Sequence, residues 1–132
     1  MIQRNLQIGR WHVEFYFAPD GYDPDALIDR LYDLGAGTRI MRRAADLMDG
    51  QARNTGFTFT NPDEHLALVA IGPTTNGREF INSLTHEVYH LAVAVAADLG
   101  VDLESEAPAY IVGDSLRELA GIVCDLGCSR CH

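Results

Sequence analysis

The chain has 132 residues, 47% hydrophobic and 22% charged, the composition of a folded domain long enough to bury a core. Acidic residues outnumber basic ones 19 to 10, and a net charge of −9 is unsuited to the basic face that nucleic-acid binding needs. No apolar run approaches bilayer-spanning length, and "MIQRNLQIGRWHVEF" holds no apolar signal-peptide core. The expectation is a cytoplasmic protein with neither nucleic acid nor membrane as partner.

No repeat or low-complexity linker interrupts the sequence, so a single domain over residues 1–132 is expected. "WHVEFYF" sets Trp11, Val13, Phe15 and Phe17 against His12, Glu14 and Tyr16, the alternation of a half-buried strand. Asp23 as N-cap and Pro24 at the first helical position start a helix that Gly35 ends. A second helix is predicted over 38–49, where Arg39, Arg42 and Arg43 read as a solvated face. "GFTFT" and "HLALVAIG" flank the turn Asn61-Pro62-Asp63 and read as a hairpin. Helices at about 77–99 and 106–126 follow, separated by "GVDLES". Strand, helices, two strands, helix, helix is the order of an α+β domain with a small, largely antiparallel sheet.

The first of the last two helices carries "FINSLTHEVYHLAVAV". On a helical wheel Phe80, Ile81, Leu84, Val88, Leu91, Val95 and Leu99 gather on one side, His86 and His90 point the other way, and Glu87 lies at the flank. Beyond His90 the opposite side is apolar too, with Val93, Ala94, Ala96 and Ala97, so the histidines are expected to face a cleft and not open water. Spacing of i, i+4 puts two imidazoles on adjacent turns of one face, where both nitrogens can bind one zinc ion. Glu87, one residue on, points aside from that line, where a carboxylate can take a proton from metal-bound water. The plainer alternative is a pair of hydrogen-bonded structural histidines.

A catalytic zinc takes three protein ligands and keeps one position for water. On the last helix Ile111, Val112, Leu116, Leu119, Ile122, Val123 and Leu126 form the core face, and Glu106, Tyr110, Asp114 and Arg117 form the opposite stripe. Ser105 is the expected N-cap. The short "GVDLES" connection returns the start of this helix towards the motif helix, which makes Glu106 the candidate third ligand and Glu104 the runner-up. Tyr110, one turn on, is a candidate to stabilise an oxyanion, against the plainer reading of a packed ring with a wet hydroxyl. A closed structural site would need a fourth protein ligand, for which His12 and His65 stay open.

His86-Glu87-x-x-His90, followed on the next helix by a glutamate, resembles the zincin metallopeptidases, in particular their gluzincin branch. "Glu106-Ala107-Pro108-Ala109" is similar to the Glu-x-x-Ala of the small ImmA-like peptidases of bacteria and phages. The resemblance spans about residues 56–120 and implies a minimal zincin-like fold. It also implies Zn2+ on His86, His90 and Glu106, Glu87 as general base, and a peptide or protein as substrate. Where the gluzincin pattern has an aspartate four residues after the ligand glutamate, this chain has Tyr110; Asp114 is left as a candidate to orient a histidine. The strand "HLALVAIG" is expected to offer its edge to an extended substrate. The rival reading is a non-catalytic zinc-binding domain that serves a protein interaction.

Cys124, Cys128 and Cys131 crowd into "CDLGCSRCH", an odd number unsuited to a secreted disulfide framework. Cys128-x-x-Cys131-His132 spells a haem-attachment motif whose chemistry needs export. The three cysteines with His132 could hold a structural zinc, and an exposed thiol tail is the simplest reading.

Overall fold

The structure is a computed structural model that describes residues 1–49 and 53–128, the side chain of Cys128 excepted. Four strands form one mixed sheet: β1 (Ile2–Ile8), β2 (Trp11–Phe17), β3 (Gly56–Asn61) and β4 (Leu66–Ile71), in the order β1-β2-β4-β3. The two outer pairs are antiparallel and the central pair, β2 with β4, is parallel. Helices α1 (Pro24–Asp33) and α2 (Thr38–Asp49) fill the crossover between β2 and β3. After β4 come α3 (Gly77–Asp98), α4 (Ala107–Glu118), α5 (Ala120–Val123) and a π-helical turn, Cys124–Cys128. Among the described residues no helix is long and apolar enough to cross a membrane.

Two apolar clusters hold the layers together, one on each face of the sheet. Trp11, Val13, Phe15 and Phe17 of β2 meet Ala67, Val69 and Ile71 of β4 beneath Phe80, Leu84, Val88, Leu91 and Val95 of α3. Ile111, Val112 and Leu116 of α4 close the same cluster from the side. On the other face Leu68, Ala70 and Phe59 pack against Leu27, Leu31, Ala44 and Met48 of α1 and α2. Central β4 is thus covered on both faces, which explains why "LALVAI" is continuously apolar instead of alternating. It is also paired on both sides, so it has no edge to offer; the free edge next to α3 belongs to β3.

Strand β1 was not anticipated. It reaches back to β2 through a turn at Gly9-Arg10, where Gly9 takes φ +58, a conformation that costs glycine no Cβ clash. Only Ile2, Leu6 and Ile8 of β1 pack on the core. The other predicted elements stand close to their expected bounds, with one difference. The helix foreseen over 106–126 breaks at Leu119 (φ −94, ψ 11) into α4, α5 and the π turn, and Leu119 and Ile122 are both buried at the bend.

The capping follows from side chains. Asp23 accepts from the Ala26 N–H, and Asn76 accepts from the Glu79 N–H to start α3. Helix α3 ends in a Schellman turn: Gly100 takes φ +71, and the Val101 N–H returns to the Ala96 carbonyl. The N-cap of α4 is Glu106, without a side-chain cap bond, and not the expected Ser105, whose hydroxyl accepts from the Ala107 N–H at 3.3 Å. Arg30 of α1 donates from Nε to both Glu14 oxygens at 2.9 Å, fastening α1 to β2.

Candidate metal and active site

Helix α3 crosses β3 and β4, and its neighbour α4 lies on the β1 side. One flank of α3 is therefore covered by α4, while the other overlooks the free edge of β3. His86, Glu87 and His90 belong to the second flank. Together with Gly56–Thr60 of β3 and Ile40, Arg43, Ala44, Asp46 and Leu47 of α2 they line a groove of about 910 Å³. That is the size of a ligand site, ~300–1,000 Å³.

The histidine Nε2 atoms are 3.1 Å apart, with ring centroids at 4.7 Å and planes at 76°. One imidazole donates this hydrogen bond and the other accepts it, according to their tautomers. The same convergence suits a metal: two nitrogens at ~2.0–2.1 Å from a tetrahedral zinc stand roughly 3.3 Å apart. Both rings are exposed to the groove, the His86 side chain by 66%, so an ion could reach them without unfolding anything.

Glu87 is the reverse case, a carboxylate only 7% exposed. Its Oε1 accepts from the Thr58 hydroxyl at 2.9 Å, while Oε2 stays on the histidine side, 4.0 Å from His86 Nε2. Thr58 Oγ1 also lies 3.2 Å from the Glu87 carbonyl, so β3 is tied to α3 at this residue. The approach is close enough to demand glycine next door. A Cβ at Gly56 would come 3.0 Å from Glu87 Cγ and 2.7 Å from the Ala70 carbonyl oxygen. Tyr22 completes the surroundings, with its hydroxyl 3.4 Å from the Thr55 carbonyl. Burial, and then the nearby Glu87 carboxylate, push the Tyr22 phenol well above its ordinary range, so it stays a neutral donor.

The other predicted residues are not brought to this pair. Glu106 begins α4, exposed, at the far end of α3 and beyond its covered flank. From His90 to Asp98 alone is eight residues, about 12 Å along a helix. Glu104 is exposed in the same connection, its N–H bonded to Asp102. Tyr110 is 67% exposed on α4, and Asp114 pairs with Arg117 at 3.5 Å. His65 and Asp98 form a separate cluster with Trp11, and His12 is exposed on β2. Among the described residues no three His, Cys, Asp or Glu side chains converge on one point. Two histidines thus fit a metal ion, and the third ligand expected on α4 does not stand with them. Cys124 is a free, exposed thiol; Cys131 and His132 lie outside the described residues.

Sequence reasoning missed Thr58, Gly56, Tyr22 and the α2 wall. The only local signal was the alternation of "GFTFT". Phe57 and Phe59 pack towards α1 and α2, which leaves the threonines for the α3 side. No family model, curated protein or solved structure matches the chain.

Proposed function

We propose that the chain is a zinc-dependent peptidase of minimal zincin-like build, with His86 and His90 holding the metal and Glu87 serving as general base. The observation that carries the reading is the pairing of convergent, exposed Nε2 atoms with a buried carboxylate that keeps one oxygen towards them. A zinc ion there would supply a water of lowered pKa and a Lewis acid for the scissile carbonyl. The chain's own residues do the remainder. Thr58 fixes Glu87 Oε1, which leaves Oε2 to accept a proton. The free edge of β3 gives an extended peptide backbone partners beside the histidines. This edge takes the part that sequence reasoning assigned to β4.

A second reading, a non-catalytic metal-binding interaction domain, draws on the distance of Glu106 from the pair. One experiment separates the two. Protein with Cys124, Cys128 and Cys131 changed to serine is dialysed against limiting zinc, and its zinc content and its cleavage of a mixed peptide library are followed together. About one zinc per chain, with library cleavage abolished by Glu87→Gln, supports the peptidase. One zinc without cleavage in either form supports the interaction domain. No zinc above the His86→Ala/His90→Ala background overturns both.

A further inference from the structure

The sheet has two edges, and only one is protected. Strand β1 carries Arg4 among Gln3, Asn5 and Gln7, all exposed, the kind of side chains that keep an edge strand from pairing with another chain. Strand β3, "GFTFTN", has neither a charge nor a proline. One hydrogen bond fixes how its backbone is turned. The Gly72 N–H donates to the Thr55 carbonyl, and the β3–β4 register, carried one residue past Gly56–Ile71, sets 55 opposite 72. Bonding along an antiparallel pair alternates, so Phe57, Phe59 and Asn61 bond to β4. Gly56, Thr58 and Thr60 therefore turn their N–H and C=O groups out to the free edge.

This edge is complementary to itself. A twofold axis at Thr58 pairs Thr58 with Thr58 and Gly56 with Thr60 of a second antiparallel copy, and no other axis position engages all three residues. Phe57 then lies opposite Phe59 of the second copy, an aromatic cross-strand pair on the α2 side. The α2 wall has the same symmetry. Ile40, Arg43, Asp46 and Leu47 line the groove on either side of Ala44. Reversing the helix about Ala44 brings Ile40 within one residue of Leu47 of the second copy, and Arg43 within one residue of Asp46. Apolar side chains meet apolar ones, and opposite charges meet twice, once on each side of the axis. Both charged side chains are exposed, and Ile40 is 41% exposed. Glu87, the other acid of the lining, is 7% exposed and held by Thr58, so it turns little charge towards a partner.

We infer that the β3 edge and the groove face of α2 form the interface of a homodimer, in which the four-stranded sheets of two copies join into one continuous sheet. The net charge of −9 on each copy opposes association, so the dimer is one of micromolar affinity. The inference goes beyond the proposed function and uses neither metal nor cleavage. Paired copies occupy the edge that an extended substrate would use, which makes the dimer the closed form of the groove.

The test is sedimentation equilibrium of metal-stripped protein between micromolar and millimolar concentration, with Cys124, Cys128 and Cys131 changed to serine so that no disulfide links the copies. A reversible monomer–dimer equilibrium is expected. Arg43→Glu and Asp46→Arg should each weaken it by more than about tenfold, because the axis applies every change twice. An equimolar mixture of these two variants should associate within about threefold of wild type, since each then meets the opposite charge across the axis. Arg42→Glu alters net charge as Arg43→Glu does, but from outside the groove, and should weaken the dimer less than about threefold. In amide exchange, Gly56, Thr58 and Thr60 should be protected in the dimer and lose that protection on dilution, while Phe57 and Phe59 stay slow throughout. A monomer at every concentration, a dimer indifferent to Arg43→Glu, a mixture that fails to associate, or unprotected amides at 56, 58 and 60 would each overturn the inference. None of these outcomes touches the zinc-peptidase reading, which stands or falls on zinc content and on Glu87→Gln.

Discussion

Helix α3 touches two histidine–carboxylate clusters, and they are built in opposite ways. At its C-terminal end Asp98 accepts from the Trp11 indole at 3.1 Å and sits 3.3 Å from His65 Nε2. The His65 ring meets Trp11 edge-on at 5.8 Å. His65 takes φ +56 to close the β3–β4 turn, and its carbonyl accepts from the His12 N–H. Here the indole, the carboxylate and the His65 carbonyl each meet a partner from a different part of the chain. Near the middle of α3, His86 and His90 come from one helix, hydrogen-bond to each other, and face the groove beside a buried carboxylate. A cluster that joins β2, the β3–β4 turn and α3 contributes to the fold. A histidine pair drawn from one helix, its Nε2 atoms close together over a groove, is available to a ligand. Histidine count and nearby carboxylates do not tell the two apart, but the origin of the partners does.

The largest effect that would sharpen this contrast concerns rate. Glu87→Gln should lower cleavage of any peptide the protein cuts by about 10²–10⁴, while zinc content and thermal stability stay near wild type. Thr58 can donate to the glutamine carbonyl as it does to the carboxylate, so the fold has little reason to respond. Wild-type turnover by Glu87→Gln would remove Glu87 from the chemistry. Next in size is metal affinity. His86→Ala or His90→Ala should weaken zinc binding by more than about 100-fold, beyond what loss of an outer hydrogen-bond partner costs. Both variants should keep stability within about 0.5 kcal/mol, because exposed side chains are being removed. Competition with a chromophoric chelator and a thermal melt check the two halves, and a stability loss above 2 kcal/mol would make the pair structural after all.

The closed cluster should behave in the reverse manner. Asp98→Ala leaves the buried Trp11 indole N–H without its acceptor, at a cost of about 2 kcal/mol. The melting temperature should fall by roughly 6–10 °C, with zinc binding unchanged. Calorimetry on metal-free protein measures the first, and the chelator competition the second. A variant as stable as wild type would mean that solvent replaces Asp98, and the contrast between the clusters would fade.

Why the sequence reveals one part of this and hides another can be traced to particular residues. The Trp11–Phe17 alternation, the Asp23 cap and the apolar stripe of α3 are local signals, and the elements they announce are present. Strand β1 is weaker: three apolar residues among Gln, Arg and Asn look like a polar leader until β2 pairs with them. The parallel β2–β4 pairing depends on a crossover through two helices and β3, and nothing in "LALVAI" names its partners, although its unbroken apolarity does mark a strand buried on both faces. His86, Glu87 and His90 were legible because i, i+4 geometry is intrinsic to a helix. The rest of the groove comes from α2 and β3, more than twenty residues away, and from the side on which α4 packs.

That last point bears directly on Glu106, and it yields the smallest expected effect. A short connection after α3 guarantees that α4 returns near the end of α3, but it does not decide on which flank. Here Ile111, Val112 and Leu116 need apolar cover, and they find it on the β1 side of the shared cluster with Ile2, Leu6 and Ile8. The β3 side offers them only a strand edge and a groove. Packing thus carries the Glu106 carboxylate away from the histidines, with the helix-dipole position at the start of α4 as its remaining benefit. Glu106→Ala should therefore change zinc affinity less than about threefold and stability by no more than about 0.5 kcal/mol. Glu104→Ala should behave alike, and the same chelator competition used for the histidine variants reads both. A loss for Glu106→Ala that approaches the histidine values would mean that α4 reaches the metal in the loaded protein. It would have to leave its apolar cover to do so, and zinc would then expose the β1 side of the cluster to amide exchange. Slow exchange in β1 with and without zinc, alongside an unaffected Glu106→Ala, is the outcome that the packing predicts.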